Sequence, residues 1–531
     1  MEIAILSTRI FTGDPVQPWA EALAIQGNRV LALGSNAEVK SACAGDARVF
    51  ELPGRLVIPG IVDAHLHFVN LGLSLRRLDL RNLPSIEDCR QHVTEAVAAT
   101  KPGEWIIGRG WSEHIWKERR TPKAADLDDI TPHHPVMLVR HCGHTVWLNS
   151  LAMARARITR AAADAPGARI ERDPCTGEPT GLLHEYRKII EKEIPPPTLE
   201  ARKEAALRAQ YEALRFGVTG VHSCETLQEW EALAALEGEG KLKLRVHHLL
   251  PPEEVEKARA LGIELHKGSE RLWFGQVKLY ADGTLGSGTA LLREPYTDNP
   301  ALRGIAVLTS KELQERVEFT YRNGGDVGVH AIGDLAVTNV LKAIQGARKR
   351  FSGPRRDRIE HVQLFHPDDL PLFRDLGVVA SVQPVHLLTD RPVAEKRWGL
   401  PRCRHAYAWK SLLQAGMRLQ FGSDAPVESI NPLLSFHAAL MRQSLAGEPK
   451  EGWFPDERLT LDEVIHAFTA VPAWVSRKEE DLGNLIPGKK ADLVVFSKDL
   501  FQVAPSNLTP VDVEMTMVNG ELLYQKDARN G

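Results

Sequence analysis

The 531-residue sequence predicts an α/β fold: a (β/α)8 barrel with a small β domain built from both ends of the chain and a subdomain inserted after the first barrel strand. Three observations lead there. The middle of the chain alternates short apolar runs with helical stretches. Both ends carry strand-like runs broken by turns. One spacing within the alternation is too long for a single connection.

The first barrel strand is read from residues 59–67. Leu56-Val57-Ile58 leads in, Ile61 and Val62 continue the apolar run, and His65 and His67 close it. Further strand candidates are 217–222, 243–250, 274–280, 326–330, 358–362, 378–383 and 418–422, with helical stretches such as 199–215 and 311–322 among them. Counting the first, this makes eight strands, the number a closed parallel barrel requires. The ends read differently. Residues 2–6, 22–25 and 29–33 are short strands separated by turn signals; residues 491–496 and 513–518 are two more, followed by a Val518-Asn519-Gly520-Glu521 hairpin turn.

The anomalous spacing lies between the first strand and the second, where about 150 residues intervene, too many for a structureless loop. This segment has strand-like runs of its own (105–107, 136–139), so it reads as a subdomain. Leaving from the C-terminal end of a barrel strand, it would cover the face where barrel active sites lie. The expected organisation is residues 1–58 and 478–531 as the two parts of the β domain, 59–72 as the first barrel strand, 73–199 as the insertion and 200–477 as the rest of the barrel.

Composition narrows the function classes. Hydrophobic residues make up 43% of the chain, enough for a large core. A net charge of −3 and a pI near 6.7 give no electrostatic case for nucleic acid or a membrane surface, which leaves a small molecule as the expected partner. The six cysteines show no CxxC pair and suit a reducing, cytoplasmic setting. The N-terminus lacks the features of a signal peptide, and no apolar run approaches the roughly 18–20 residues of a membrane span.

The chemistry concentrates at strand ends. Side chains alternate along a strand, so His65 and His67 share a face and can chelate one metal ion. Such an ion needs further donors, and later strand ends supply them: Lys278, His330, His361 and Asp424. A single histidine at a strand end is ordinarily structural, and Asp424 before Ala-Pro could simply form a turn. Six polar groups at the same end of five strands make a metal centre the better reading.

At this point the chain resembles the amidohydrolase superfamily, and within it the YtcJ-like branch (the amidohydrolase 3 family). The motifs that carry the resemblance are PGIVDAHLHF at 59–68, CGHTVWLNS at 142–150, GLLHE at 181–185, VKLYADGTLGSGTALL at 277–292, VHAIGD at 329–334, RIEHVQ at 358–363, FGSDAPV at 421–427 and LGNLIPGKKADLVVF at 482–496. The resemblance implies a distorted (β/α)8 barrel with a composite β-sandwich and metal-dependent hydrolysis, mostly of C–N bonds. It implies one or two divalent ions, zinc foremost. His65, His67 and Asp424 would hold one, His330 and His361 the other, and Lys278, carboxylated by CO2, would bridge them. Asp424 would take a proton from the attacking water and pass it to the leaving nitrogen. Superfamily members are often homodimers, and the residues leave the oligomeric state open.

Several residues carry two readings each. Glu185 could ligate a metal without any lysine modification, or stabilise a helix N-terminus. His144 and Trp111 are candidate substrate contacts or local packing. Asp282 is a candidate substrate contact or a shaper of its loop, and Asp334 a supporting residue or a helix cap. Three functions compete: an amide, N-acyl or N-formyl hydrolase; a deaminase of a ring or amidine C–N bond; and a scaffold without activity. A His-x-x-Glu pattern, common in mononuclear deaminases, is absent, because Gly333 stands third after His330; this and Lys278 favour the first. Trp105, Trp111, Trp116 and Trp147 suit either an apolar or aromatic group in the pocket or an ordinary core.

Overall fold

A computed structural model describes residues 2–43 and 45–526. The chain divides into two compact units. One runs from the N-terminus to Leu71 and resumes at Ala206; the other is Gly72–Ala205.

The first unit contains an eight-stranded parallel sheet. Its strands are β1 (Ile61–Leu66), β2 (Val218–Cys224), β3 (Arg245–Leu250), β4 (Leu272–Tyr280), β5 (Asp326–Ala331), β6 (Arg358–His361), β7 (Val379–Val382) and β8 (Leu419–Phe421), each beside its sequence neighbour. Almost every residue in them is buried, as expected of strands covered on both faces. The sheet is drawn closed just past its last strand. The Asp424 N–H donates to the His65 carbonyl at 2.7 Å, and the His67 N–H donates to the Ala425 carbonyl at 2.8 Å. Asp63 on β1 reinforces the seam by accepting from the Ser423 N–H and hydroxyl at 3.0 and 2.5 Å. The barrel is therefore nearly closed and distorted at this seam.

Helices between the strands form where sequence and capping agree. Ser310–Arg322 begins at a Thr309–Glu312 capping box and turns Leu313, Val317 and Tyr321 inward. Asp334–Arg348 follows β5 and buries Val337, Leu341 and Ile344.

The β domain in this unit has two sheets. Arg29–Gly34, Ala22–Gln26, Glu2–Leu6 and Arg48–Glu51 form the first; Glu521–Gln525, Val513–Val518, Leu493–Phe496, Leu56–Pro59, Arg9–Phe11 and Trp19–Ala20 form the second. Ile3, Ile5, Leu23 and Ile25 pack with Val57, Leu493, Val495 and Met517 in one core, so both chain ends contribute. The turn at Asn519 and Gly520 joins the last two strands with φ of 58° and 73°, the left-handed pair such a hairpin needs. The apolar run before the histidines is split between two sheets. Leu56–Pro59 belongs to the β domain, Ile61–Leu66 to the barrel, and the chain changes sheet at Gly60. A Cβ at Gly60 would lie 2.3 Å from the Thr219 hydroxyl, so this crossing leaves no room for a side chain.

The second unit is built on a six-stranded sheet in the order Arg169–Arg172, Pro179–His184, Thr145–Leu148, Val136–Arg140, Ile106–Trp111, Leu78–Asp79. Alternation along Val136–Arg140 gives it two faces: Val136 and Leu138 pack with Trp111, Trp116 and Trp147, while Met137 and Val139 pack with Val146, Leu148 and Leu183. Among the described residues no helix is long and apolar enough to cross a membrane.

Candidate metal centre

The strand ends meet in one cavity of about 380 Å³, whose lining includes His65, His67, Lys278, His330, His361 and Asp424. His65 lies in β1 and His67 one residue beyond it. Their Nε2 atoms are 3.4 and 3.5 Å from Asp424 Oδ1, so the three form a compact donor trio. The His330 and His361 rings are 4.6 Å apart, and the His361 and His65 rings 5.0 Å.

Two of these side chains depend on unusual backbone. His361 and Asp424 have φ of 74° and 59°, left-handed values rare for residues other than glycine. In β6, Arg358 and Glu360 pair inside the barrel, so strict alternation would turn His361 to the outer face. The left-handed turn at His361 brings its ring to the cavity instead. Strain of this kind concentrates at functional sites.

Each of the four imidazoles has one ring nitrogen against a protein acceptor. His65 Nδ1 lies 2.6 Å from Glu360, His67 Nδ1 2.8 Å from the Cys224 carbonyl, His330 Nε2 2.9 Å from the Gly283 carbonyl and His361 Nδ1 2.8 Å from Gln383 Oε1. An oxygen acceptor assigns a proton to that nitrogen and turns the other toward the cavity, the orientation in which histidine binds metal. Lys278 Nζ is buried, lines the cavity and has no hydrogen-bond partner among the described residues. An orphaned amine among imidazoles suits the bridging position of a two-metal site. The donor set thus fits one or two divalent ions.

The electrostatics agree. Burial pushes His330 down to about 4, with Lys278 reinforcing it, and pushes His361 well below the usual range, so both stay neutral. Burial also opposes ionisation of Asp424, but hydrogen bonds from His65 and His67 outweigh it and hold the carboxyl well below its usual value. His65 sits between carboxylates: burial disfavours its charge, yet Cys224 and Glu360 raise it well above normal. That cluster calls for positive charge where the donor trio converges.

The remaining expected residues take other places. Asp282 is no substrate contact. It is buried and accepts from the N–H groups of Ile332, Gly333 and Leu291 at 3.0, 2.9 and 2.8 Å, so both oxygens are spent on joining the loops after β4 and β5. Asp334 opens its helix and accepts from the Arg293 N–H at 2.9 Å. Trp111 is a core residue of the second unit, not a substrate contact: it is 1% exposed, stacked 5.5 Å from Trp116, and its indole N–H donates to the Leu138 carbonyl. Trp116 and Trp147 pack in the same core. His144 and Glu185 are both exposed in that unit and pair with each other at 2.9 Å.

Other residues of the cavity are absent from the sequence reading. His386, Gln363, Asp390, Glu428 and Tyr280 line it, and Glu360 and Gln383 stand behind its histidines. A search of strand ends passes over His386 because β7 ends in apolar Val382 and His386 lies on the short 3-10 turn Pro384–His386 beyond it. Glu360 could have been found, since it alternates with Arg358 in a strand that ends at a candidate ligand.

Comparison with known proteins places these observations among relatives. A family model described as "Amidohydrolase family" matches residues 48–524. The protein LONG AFTER FAR-RED 3 of Arabidopsis thaliana is 34% identical over 98% of this chain and 91% of its own length. YtcJ of Bacillus subtilis (strain 168), provisionally named an amidohydrolase, is 32% identical over 95% of this chain and 96% of its own. The N-substituted formamide deformylase of Arthrobacter pascens is 24% identical over 99% and 98%. A crystal structure of an uncharacterized metal-dependent hydrolase from Pyrococcus furiosus superposes with a TM-score of 0.77 at 33% identity, covering 94% of this chain and 99% of the other.

Proposed function

Because the chain belongs to the amidohydrolase family, we propose that it is a metal-dependent hydrolase that cleaves a C–N bond of the amide, N-acyl or N-formyl kind in a small molecule. The observation that carries this reading is the single cavity lined by His65, His67, Lys278, His330, His361 and Asp424. The deformylase name of one full-length relative supports the bond type.

His65, His67 and Asp424 would hold one divalent ion, His330 and His361 a second, and carboxylated Lys278 would lie between them; zinc suits the imidazole donors. Carboxylation of Lys278 requires an amine not engaged elsewhere, and among the described residues its buried Nζ has no hydrogen-bond partner. Glu185 is the weaker bridge, since its carboxylate is engaged by His144. A metal bound there supplies Lewis acidity toward the carbonyl oxygen and the attacking water. Asp424, held ionised, accepts the proton of that water at a carboxylate oxygen and returns it to the leaving nitrogen. The left-handed backbone at His361 and Asp424 fixes these two groups at strand ends, so little reorganisation accompanies the proton transfer.

The test is a hydrolysis panel on protein purified with zinc and bicarbonate. N-substituted formamides and N-acyl amines should release amine and acid. Release of ammonia from ring amines, with no amine from any panel member, would replace this reading with deamination.

A further inference from the structure

His361 and His386 lie side by side in the cavity wall, rings nearly parallel at 19° and 6.2 Å apart, yet their surroundings fix opposite tautomers. Two glutamines are responsible. Gln383 donates its amide to the Ser381 carbonyl at 3.4 Å, so its oxygen faces His361 Nδ1 at 2.8 Å. His361 therefore carries its proton on Nδ1 and keeps a lone pair on Nε2. Gln363 is turned the other way. Asp390, which accepts from the Tyr407 hydroxyl at 2.7 Å, also accepts from Gln363 Nε2 at 3.4 Å, and the same nitrogen faces His386 Nδ1 at 3.3 Å. A carboxylate can only accept, so the Gln363 nitrogen is fixed as donor, and His386 Nδ1 must accept. The His386 proton is then on Nε2. A second proton on Nδ1 would set donor against donor.

The consequence is chemical. With its cavity-side nitrogen protonated, His386 has no lone pair to offer a metal. The residue is buried and lines the cavity, and its Nε2 has no protein acceptor within hydrogen-bond distance among the described residues. Asp424 Oδ2, the nearest carboxylate oxygen, is 3.8 Å away, too far for a hydrogen bond. A buried donor aimed into an active-site cavity beside the proton-shuttling carboxylate is placed to meet substrate.

Resting on the hydrolase reading above, we propose that His386 is a catalytic residue: its neutral imidazole donates the Nε2–H to the carbonyl oxygen of the scissile group. No proton is transferred. The hydrogen bond strengthens as that oxygen gains negative charge and relaxes when the carbonyl re-forms, which is the differential stabilisation catalysis requires. Asp424 moves the protons; His386 steadies the oxygen. Gln363, Asp390 and Tyr407 are positioning residues that hold the donor tautomer.

The experiment uses the full chain, zinc-loaded, with the formamide or N-acyl amine turned over fastest by the wild type. His386→Phe should bind zinc to the wild-type content and lose roughly 10²–10³-fold in kcat, with KM moving far less. His386→Gln, which keeps an N–H donor, should recover much of that loss. An independent readout is the ¹⁵N NMR spectrum of histidine-labelled protein. The resonance missing in His386→Gln should have the Nε2–H pattern in wild type and lose it in Gln363→Met. Full kcat in His386→Phe, zinc lost from that variant, or an Nδ1–H pattern would each overturn the proposal while leaving the hydrolase reading intact. A protein that turns over no amide in the panel overturns the hydrolase reading and this proposal with it.

Discussion

His65 Nδ1 lies 2.6 Å from Glu360 Oε2, and the other oxygen of Glu360 lies 2.6 Å from Arg358 Nε, with all three side chains sealed from solvent. Burial opposes ionisation of Glu360, but Arg358 and His65 hold it far below the usual carboxylate range. The carboxylate has two tasks: it orients a metal ligand and neutralises a buried guanidinium.

The two tasks predict two separable results. Glu360→Gln keeps the shape but removes the charge, and zinc affinity measured by competition with a chelator should fall about 10–100-fold. Glu360→Ala also strands Arg358, and should lower the unfolding free energy by about 3–5 kcal/mol. Equal losses of zinc and of stability in both variants would show that Glu360 acts on the fold alone.

Lys278 carries the second prediction. If its carboxylated side chain bridges two ions, wild-type protein grown with zinc and ¹³C-bicarbonate should contain close to two ions per chain and show a carbamate carbon resonance. Lys278→Ala should lose that resonance and at least one ion, and short carboxylic acids added in excess should restore part of both metal and activity. One ion per chain in wild type, unchanged in the variant, would remove the lysine from the metal centre.

Much of this site was legible in the sequence because strand chemistry is local. His65 and His67 share a face by alternation, and Lys278, His330 and Asp424 stand where apolar runs end. His361 was found by its place at a strand end, although alternation alone would have turned it outward; its left-handed backbone is a tertiary effect with no local signature. His386 stayed hidden because it lies on a turn whose position depends on the packing of β7. The tryptophans left both a pocket and a core open. Their clustering within one segment suits either, and alternation on the sheet of the second unit turned Trp111 and Trp147 into its core. Apolar surface must be buried somewhere, and composition does not say whether a ligand or the protein itself covers it.

Asp492, in the KKADLVVF run, acts far from the cavity. Its carboxylate pairs with Arg245 at 2.6 and 3.0 Å, both side chains buried, and accepts from the Asn519 N–H at 2.7 Å. It thereby ties barrel strand β3 to the hairpin turn of the β domain. Asp492→Ala leaves Arg245 uncompensated and should cost about 3–5 kcal/mol, whereas the double variant Arg245→Met, Asp492→Leu should cost clearly less, because no charge is then stranded. Thermal unfolding of the three proteins side by side decides it; a double variant as unstable as the single one would mean that the pair contributes by attraction rather than by mutual neutralisation.

Acid stability follows from histidines the site does not use. His222, His247 and His248 are buried in β2 and β3, and burial holds the first two well below the ordinary histidine range and His248 down to about 4. The folded chain keeps them neutral while the unfolded chain protonates them below about pH 6.5. The unfolded state then binds more protons, so stability falls as pH drops through 6.5 and continues to fall toward the folded values. Each such group should cost about 2 kcal/mol by pH 5, a large share of the roughly 5–15 kcal/mol that folded proteins hold in reserve. His248 allows a clean test, because its Nε2 faces the Thr226 carbonyl at 3.2 Å, a partner that a glutamine amide can also satisfy. Between pH 7 and 5, His248→Gln should show a shallower decline in unfolding free energy than wild type, by close to one proton, while matching it at pH 7.5. Parallel curves would mean that His248 is protonated in the folded barrel and that the acid sensitivity arises elsewhere.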